Sequence, residues 1–533
     1  YNYASLHRVR EGVQDDQGTL DAMPEGSIGA EVVALREWVE EEAKDGGTGE
    51  RDHAPRHTDR IWRQVSVSHR ECLGAAKCPY GAECFAERAK DKAARSQLIV
   101  TNHSLLAIDA IEGIPMIPDY DVVVIDEAHE LTARVTQAAT DELSANDVER
   151  AARRAQRHVD GSEADDLADA ADALRLAVDA APGGRLEVVP TDLADALVLV
   201  RDAARTLVSA FPKDTGDDAG VTQAKGWTQD LFAVAERMSA GSEYDVLWVS
   251  QQEAKRGGNR LCVAPLEVAG PLREKLLADK TAVFTSATLK LGGDFAAVAG
   301  SLGLARDAEG GSWQGIDVGS PFDYGQQAIL YVAKDLPQPG RDGLQPAHLD
   351  EIVDLVDASD GRTLGLFSSR RAAEAAAEVV RERLPHLTTL CQGDAQLPEL
   401  ARQFVNDPHT CLFGTLSLWQ GLDVPGETCQ LVIIDRIPFP RPDDPLMSAR
   451  ARAADKAGAN GFMSVSGTHA ALLLAQGAGR LIRTTSDKGV VAILDPRLVT
   501  ARYGSFLRAS LPPMWMTTDP QVVRNALKRL SGR

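Results

Sequence analysis

Short, continuous apolar runs punctuate the chain, each ending in polar or charged residues. They include VVVI at Val122 to Ile125, AILYVA from Ala328, TLGLF from Thr363, CLF from Cys411, LVII from Leu431 and GVVAIL from Gly489. Runs of this length, rich in Val and Ile, predict strands buried on both faces of a mostly parallel sheet. LIVTNHSLLAI, beginning beside Gln97, reads as a further strand that leads through a Pro-containing turn at Ile114 to Pro118. KTAVFTSATLKLGG from Lys280 reads as a buried strand that ends in Ser286, Ala287 and Thr288. Between Thr132 and Gly257 the pattern changes to an Ala-rich, acidic one. DLADAADALRLAVDAA and DLADALVLVRDAARTLVSAF repeat at helical spacing, with almost no strand signal. The fold class expected is α/β, with a helical insertion. Glu40 to Arg60, polar and glycine-rich, reads as a loop or flexible insert.

At 533 residues the chain is too long for one core. The patterns divide it into 1–95, which holds a cysteine cluster; 96–131 and 258–320, the two parts of a first sheet domain; 132–257, the helical insertion; and 321–533, a second sheet domain. Formal charge is −21, so the molecule is not a basic nucleic-acid coat, and any DNA contact has to be a local groove. No apolar stretch reaches the roughly 18 residues of a membrane span, and no secretory leader is evident. A cytoplasmic enzyme is expected. Three of the seven cysteines, Cys72, Cys78 and Cys84, fall at C-x5-C-x5-C in loop-like sequence and point to a metal site. Buried, inert thiols would be the plainer reading for them. It is the reading given to Cys262, Cys391, Cys411 and Cys429, which lie in strand-like contexts.

Two short stretches carry most of the candidate chemistry. VVVIDEAH delivers Asp126 and Glu127 to the carboxyl end of a strand, where α/β sheets bind ligands. One carboxylate there can hold Mg²⁺ and the other can orient or deprotonate a water, roles that suit Asp126 and Glu127 respectively. QGAGRLIR places Arg480 and Arg483 three residues apart on one face of an expected helix, where both guanidinium groups can reach one phosphate. Taken singly, DEAH could be a surface acidic turn and the arginines solvated helix charges. The sequence contains no G-x-x-x-x-G-K-[ST] loop to cradle phosphates and opens on Tyr1, so an amino-terminally truncated fragment is expected.

The ordered set CLGAAKCPYGAEC, VTNHSLLAI, VVVIDEAH, FTSATL, SPFDY, LFSSRRAAE, FGTLSLWQGLDVPG, IIDRIPFPRPDDP and QGAGRLIRTTSDKG resembles the DinG/XPD family of superfamily 2 DNA helicases, over nearly the whole chain. The resemblance implies two RecA-like P-loop NTPase domains closing on ATP and Mg²⁺, with an iron–sulfur insertion and an α-helical arch. It further implies 5′ to 3′ movement on single-stranded DNA, unwinding of forked or duplex DNA, and work in repair or recombination. A monomer is expected. In residue terms, Asp126 and Glu127 become the acidic motor motif and His129 couples hydrolysis to movement. Ser286 and Thr288 link the nucleotide and DNA sites. Gly421, Asp423 and Gly479 serve the nucleotide, and Gln476, Arg480 and Arg483 face the γ-phosphate. Cys72, Cys78 and Cys84 become ligands of a 4Fe–4S cluster, and the family's first ligand position falls on Ser5. Serine there could be a weaker oxygen ligand, leave one iron open, or record a changed site, and a labile cluster is expected; zinc is the lesser option. Two rivals stand beside this reading. One is a hydrolysis-dead single-stranded DNA clamp, the other part of a larger helicase–exonuclease. His103 could touch DNA or cap a turn. Trp419 or Phe439 could stack on bases, although core packing is the plainer role for either.

Overall fold

The computed structural model describes residues 2–11, 27–55, 57–67, 72–113, 116–213, 219–252, 258–304, 313–340, 343–415, 418 and 428–532. The chain forms two compact units, one of Tyr1–Val123 with Ala133–Thr281, the other of Val124–Thr132 with Ala282–Arg533.

In the first unit, a helix at Leu6–Glu11 and a long one at Ser27–Asp45 enclose a small core. Leu35, Val39, Trp62, Val65 and Phe85 are fully or almost fully buried in it. The start of the stretch expected to be a loop is therefore helical: Leu35 and Val39 need cover, and the helix runs on to Asp45 before Gly46, at φ 72°, lets the chain turn away. The expected strand after Gln97 does not form. Leu98 and Val100 are 81% and 89% exposed, and Asn102 caps a helix at His103–Glu112 by accepting from the Leu105 N–H at 2.8 Å. Asn102 thus has the capping role, and His103 is merely the first helical residue.

Strand β1 (Val122–Ile125) follows. Next come β2 (Asp141–Leu143), two helices at Ala145–Ala155 and Glu163–Ala180, and β3 (Gly184–Arg185). Two more helices at Thr191–Ala210 and Ala219–Ala240 lead to β4 (Asp245–Ser250) and β5 (Arg260–Pro265). The four helices bury Leu167, Leu174, Leu197 and Val200 in one core. The strands make an antiparallel sheet in the order β2-β5-β4-β3. Three of its strands, β2, β3 and β4, thus lie in the stretch read as helical with almost no strand signal; β2 and β3 are too short to register as a pattern.

β1 pairs with β6 (Thr281–Phe284) in a two-stranded sheet. The offset is constant, with Thr281 N–H donating to Asp121 and Thr285 N–H to Ile125, so the pair is parallel. Neither strand is buried as its apolar run suggested. Val122 and Val124 are 57% and 65% exposed, because among the described residues nothing covers that face.

The second unit is built on seven parallel strands: β7 (Ala328–Val332), β8 (Thr363–Phe367), β9 (Thr388–Cys391), β10 (Thr410–Thr415), β11 (Leu431–Ile434), β12 (Gly489–Ile493) and β13 (Trp515–Thr517), in the order β13-β7-β12-β11-β8-β10-β9. The order 7-12-11-8-10 shows repeated crossover connections, and the intervening helices flank the sheet. Every residue of β8, β11 and β12 is buried. Among the described residues, no helix is long and apolar enough to cross a membrane.

Gly365, in β8, is a glycine because of a close approach. A Cβ built there would stand 2.2 Å from a Phe413 ring carbon and 2.8 Å from Phe367, rings that already meet edge to face at 5.7 Å. Gly365→Ala should destabilise the unit by about 1–3 kcal/mol of overpacking. A lowered denaturant midpoint at unchanged slope would show it, whereas an unchanged midpoint would mean that the rings yield without cost.

Candidate functional site

The second unit gathers three separated motifs around one imidazole. β1 ends at Ile125 and the chain turns at once: Glu127 takes φ 47° and ψ 43°, the left-handed region that side chains other than glycine avoid. Backbone bonds hold this turn, with Ala128 N–H donating to Thr285 and Glu130 N–H to Glu127. A short 3₁₀ turn at Ala128–Glu130 then folds the His129 side chain back under the loop, where it is only 7% exposed. Asp126 and Glu127 stay exposed.

After β6, Thr285 donates its hydroxyl to Asp126 Oδ1 at 2.7 Å. Ser286 Oγ donates to Glu127 Oε2 at 3.1 Å and stands 2.8 Å from His129 Nδ1. Thr288 Oγ1 lies 3.1 Å from Ser286 Oγ and 3.2 Å from His129 Nδ1. On the other side of the ring, the Gln476 carboxamide nitrogen bonds His129 Nε2. The proton accounting admits one continuous order. Gln476 N–H donates to Nε2, neutral His129 donates from Nδ1 to Ser286 Oγ, and the serine hydroxyl donates to Glu127. Gln476 Oε1 is buried with no partner among the described residues, a spare acceptor for a water.

Gln476 occupies the last turn of a helix at Thr468–Ala478. The expectation that Arg480 and Arg483 share a helical face is overturned. The helix ends at Ala478 with Gly479 as its C-cap, so Arg480 lies in the following turn and Arg483 in an extended, exposed segment. Gly477 and Gly479, poor helix formers, favour the stop. Asp487 then fixes the loop, accepting from the N–H groups of Arg483 (2.8 Å) and Thr484 (2.7 Å) and from the Thr484 hydroxyl (2.6 Å). Gln327 donates to the carbonyls of Thr484 and Asp487. Arg483 lies close enough to Tyr324 to oppose the rise that burial imposes on its phenol. Sequence reading assigned no role to Asp487, Gln327 or Thr285; Asp487 and Thr285 lie within recognised motifs, while Gln327 is a polar residue just after one. Gly421, Asp423 and Trp419 lie outside the described residues.

In the first unit, Cys72 is exposed and Cys78 and Cys84 are half-buried, all three as free thiols. Burial pushes the Cys78 thiol up, and Cys84 and Cys72 add to the rise. Their segment is clamped to the Leu6–Glu11 helix. Tyr80 donates to Glu11 at 2.6 Å, and Arg10 pairs with Glu40 at 2.9 Å and with Glu83 at 3.1 Å. Ser5 is not turned to metal duty: its Oγ accepts from Arg8 N–H at 3.3 Å and its N–H donates to Val65 at 2.7 Å. Among the described residues no group of three or more His, Cys, Asp or Glu side chains is closed around a common point. The donors thus offer three thiols, one short of a four-thiolate cluster. Cys262, Cys391, Cys411 and Cys429 are buried, and burial pushes Cys411 and Cys429 up to about 12, as packing thiols should be.

Comparison with known proteins gives the chain a class and then a family. The Helicase C-terminal domain family matches residues 352–514. A solved XPD helicase shares the fold at a TM-score of 0.52 over 88% of this chain and 79% of that one, with 16% identity. The chain is 46% identical to the ATP-dependent helicase DinG of Mycobacterium tuberculosis, over 99% of this chain and 82% of that protein. It is 32% identical to the ATP-dependent DNA helicase YoaA of Escherichia coli, over 97% of this chain and 81% of that one. The chain belongs to the DinG family of ATP-dependent helicases.

The carboxyl end of β11 carries Asp435, which accepts from Ser368 N–H at 2.9 Å and Ser368 Oγ at 2.8 Å. Burial pushes its carboxyl from 3.8 up to about 6, with Arg436 and Ser368 pulling the other way. The folded state therefore binds this proton more tightly than the unfolded one. Its contribution to stability is fully present below pH 3.8 and is lost as pH rises to about 6. Asp435→Asn should flatten that slope, so that the variant gains on the wild type between the two values in denaturation at a series of pH. Parallel curves would remove Asp435 as the source.

Proposed function

We propose that the chain is an ATP-dependent DNA helicase of DNA repair and recombination, with ATP hydrolysed at the Asp126–Glu127 loop and sensed through His129. The relay Gln476–His129–Ser286–Glu127 carries this reading, because it ties the carboxylate suited to activating water to a residue from another motif. Asp126, steadied by Thr285, is the ligand for Mg²⁺ and Glu127 the base. Arg480 and Arg483, on the loop beyond Gln476, stabilise charge developing on the γ-phosphate. Gly421, Asp423 and Gly479 complete the nucleotide contacts. Ser286 and Thr288 couple that site to DNA through hydroxyls able to exchange partners.

Movement is 5′ to 3′ on single-stranded and forked DNA, by a cytoplasmic monomer with two RecA-like domains. The helices of 132–257 form an arch. Cys72, Cys78 and Cys84 would hold an iron–sulfur cluster, and Ser5, at the family's first ligand position but bonded to Arg8 N–H, leaves it one thiolate short. When bound, such a cluster braces its segment and exchanges electrons; no step of hydrolysis depends on it here.

Glu127→Gln, made in the protein as the cell produces it, should lower DNA-stimulated ATP hydrolysis about a hundred- to ten-thousandfold and leave nucleotide binding intact. Unchanged turnover would take Glu127 out of the base role. For the cluster, Ser5→Cys should raise iron per chain and slow the loss of visible absorbance under a chelator. Equal iron and equal loss in both proteins would show that residue 5 is no ligand position.

A further inference from the structure

β11 and β12 are neighbours in the second sheet, and the segments leaving their carboxyl ends meet. From β11 the chain runs through Asp435 to Phe439; from β12 it runs through Asp495 and Arg497 to Tyr503. Asp495, with no exposed surface, binds the two segments together. It accepts from Ile437 N–H at 3.0 Å, from Arg497 N–H at 3.0 Å and from the Arg497 guanidinium at 2.7 Å.

A third segment brings Phe462 to the same place. The rings of Phe439 and Phe462 lie 5.2 Å apart, those of Phe439 and Tyr503 5.4 Å, and those of Phe462 and Tyr503 5.5 Å, a closed triangle. Such a triangle in a core would be wholly covered. Here Phe439 and Tyr503 are half-buried and Phe462 is 43% exposed, so the outermost ring is held rigidly by the other two while part of it meets solvent. Phe462 also opens a π-helical segment, Phe462–Gly467, a wide turn that is rare and is found mostly at functional positions. That segment runs straight into the helix whose last turn sets Gln476 against His129.

The Arg497 guanidinium lies 5.8 Å from the Phe439 ring centre, and Arg502, exposed, adjoins Tyr503 in the chain. A fixed, partly open aromatic face suits a base on the ring, and the exposed Arg502, next in the chain to Tyr503, suits a phosphate, while Arg497 is paired with Asp495; this is the chemistry of single-stranded nucleic acid. The carboxyl ends of parallel strands are also where open α/β sheets take their ligands. We infer that Phe462, backed by Phe439 and Tyr503, is a base-stacking site for single-stranded DNA. The inference rests on the DNA-directed reading above and adds the residue on which a base sits.

The test is binding of a single-stranded oligonucleotide that carries 2-aminopurine, read by anisotropy and by quenching of the probe. Phe462→Ala should weaken binding about five- to hundredfold and relieve quenching, Phe462→Leu should do the same while keeping apolar volume, and Phe462→Trp should retain both signals. Wild-type affinity and quenching in the Leu variant would overturn the stacking site while leaving the DNA reading intact. Failure of the wild type itself to bind the oligonucleotide would remove the DNA reading and the site together.

Discussion

The arrangement of Glu127, Ser286 and Gln476 depends on the two nitrogens of His129. A buried neutral imidazole has one proton to give and one lone pair to offer, and both are committed to partners from distant parts of the chain. Because each hydroxyl in the relay can donate only once, the bond from Gln476 sets the direction of every bond as far as Glu127. Adding a proton to the ring would cost it the acceptor that Gln476 needs. A displacement at the end of the Thr468–Ala478 helix therefore reaches the carboxylate without any backbone having to melt between them.

The same loop holds strain. Glu127 in the left-handed region costs about 1–2 kcal/mol. The bonds Thr285 N–H to Ile125, Ala128 N–H to Thr285 and Glu130 N–H to Glu127 flank it, each worth about 1 kcal/mol net, so the register of β1 on β6 is enough to hold the turn. The turn reverses the chain immediately after Asp126. As a result the two carboxylates are exposed while His129, only two residues beyond Glu127, is buried. A relaxed strand-to-helix connection would have placed the imidazole elsewhere.

What the sequence discloses tracks how completely an element is buried. β7, β8, β10, β11 and β12 read correctly because a strand covered on both faces must be apolar throughout. β9 and β13, the two edges of that sheet, do not announce themselves: TTLC and WMT are short and mixed. The segment after Gln97 misleads in the opposite sense, since Leu98, Ile99 and Val100 have strand composition and no strand to pair with among the described residues. For the site, DEAH, the FTSATL hydroxyls and Gln476 were legible as motifs. Their shared imidazole was not, because hydrogen bonds between residues more than a hundred positions apart leave no local pattern. The helix end at Ala478 could have been read from Gly477 and Gly479. The π-helical turn at Phe462 could not, since its composition is that of any helix start.

Net charge is the reading that transfers least well to the surface. A formal −21 leaves room for DNA only in a local groove, and in the loops of the second sheet three of the acids are spent internally. Asp435 is buried against Ser368 and Arg436, Asp487 closes the loop of Arg483, and Asp495 is covered by Arg497 and the Ile437 amide. Each of these carboxylates lies at the foot of a loop and is spent on its shape. Exposed side chains on or beside those loops include Arg441, Asp443, Arg483, Lys488 and Arg502, and Phe462 stands on its own helical segment. An acidic composition and a local groove for a polyanion are thus compatible, because part of the acidity is buried beneath these loops. Stacking then supplies part of the affinity that a wholly basic groove would draw from phosphates alone, and that part is less sensitive to salt.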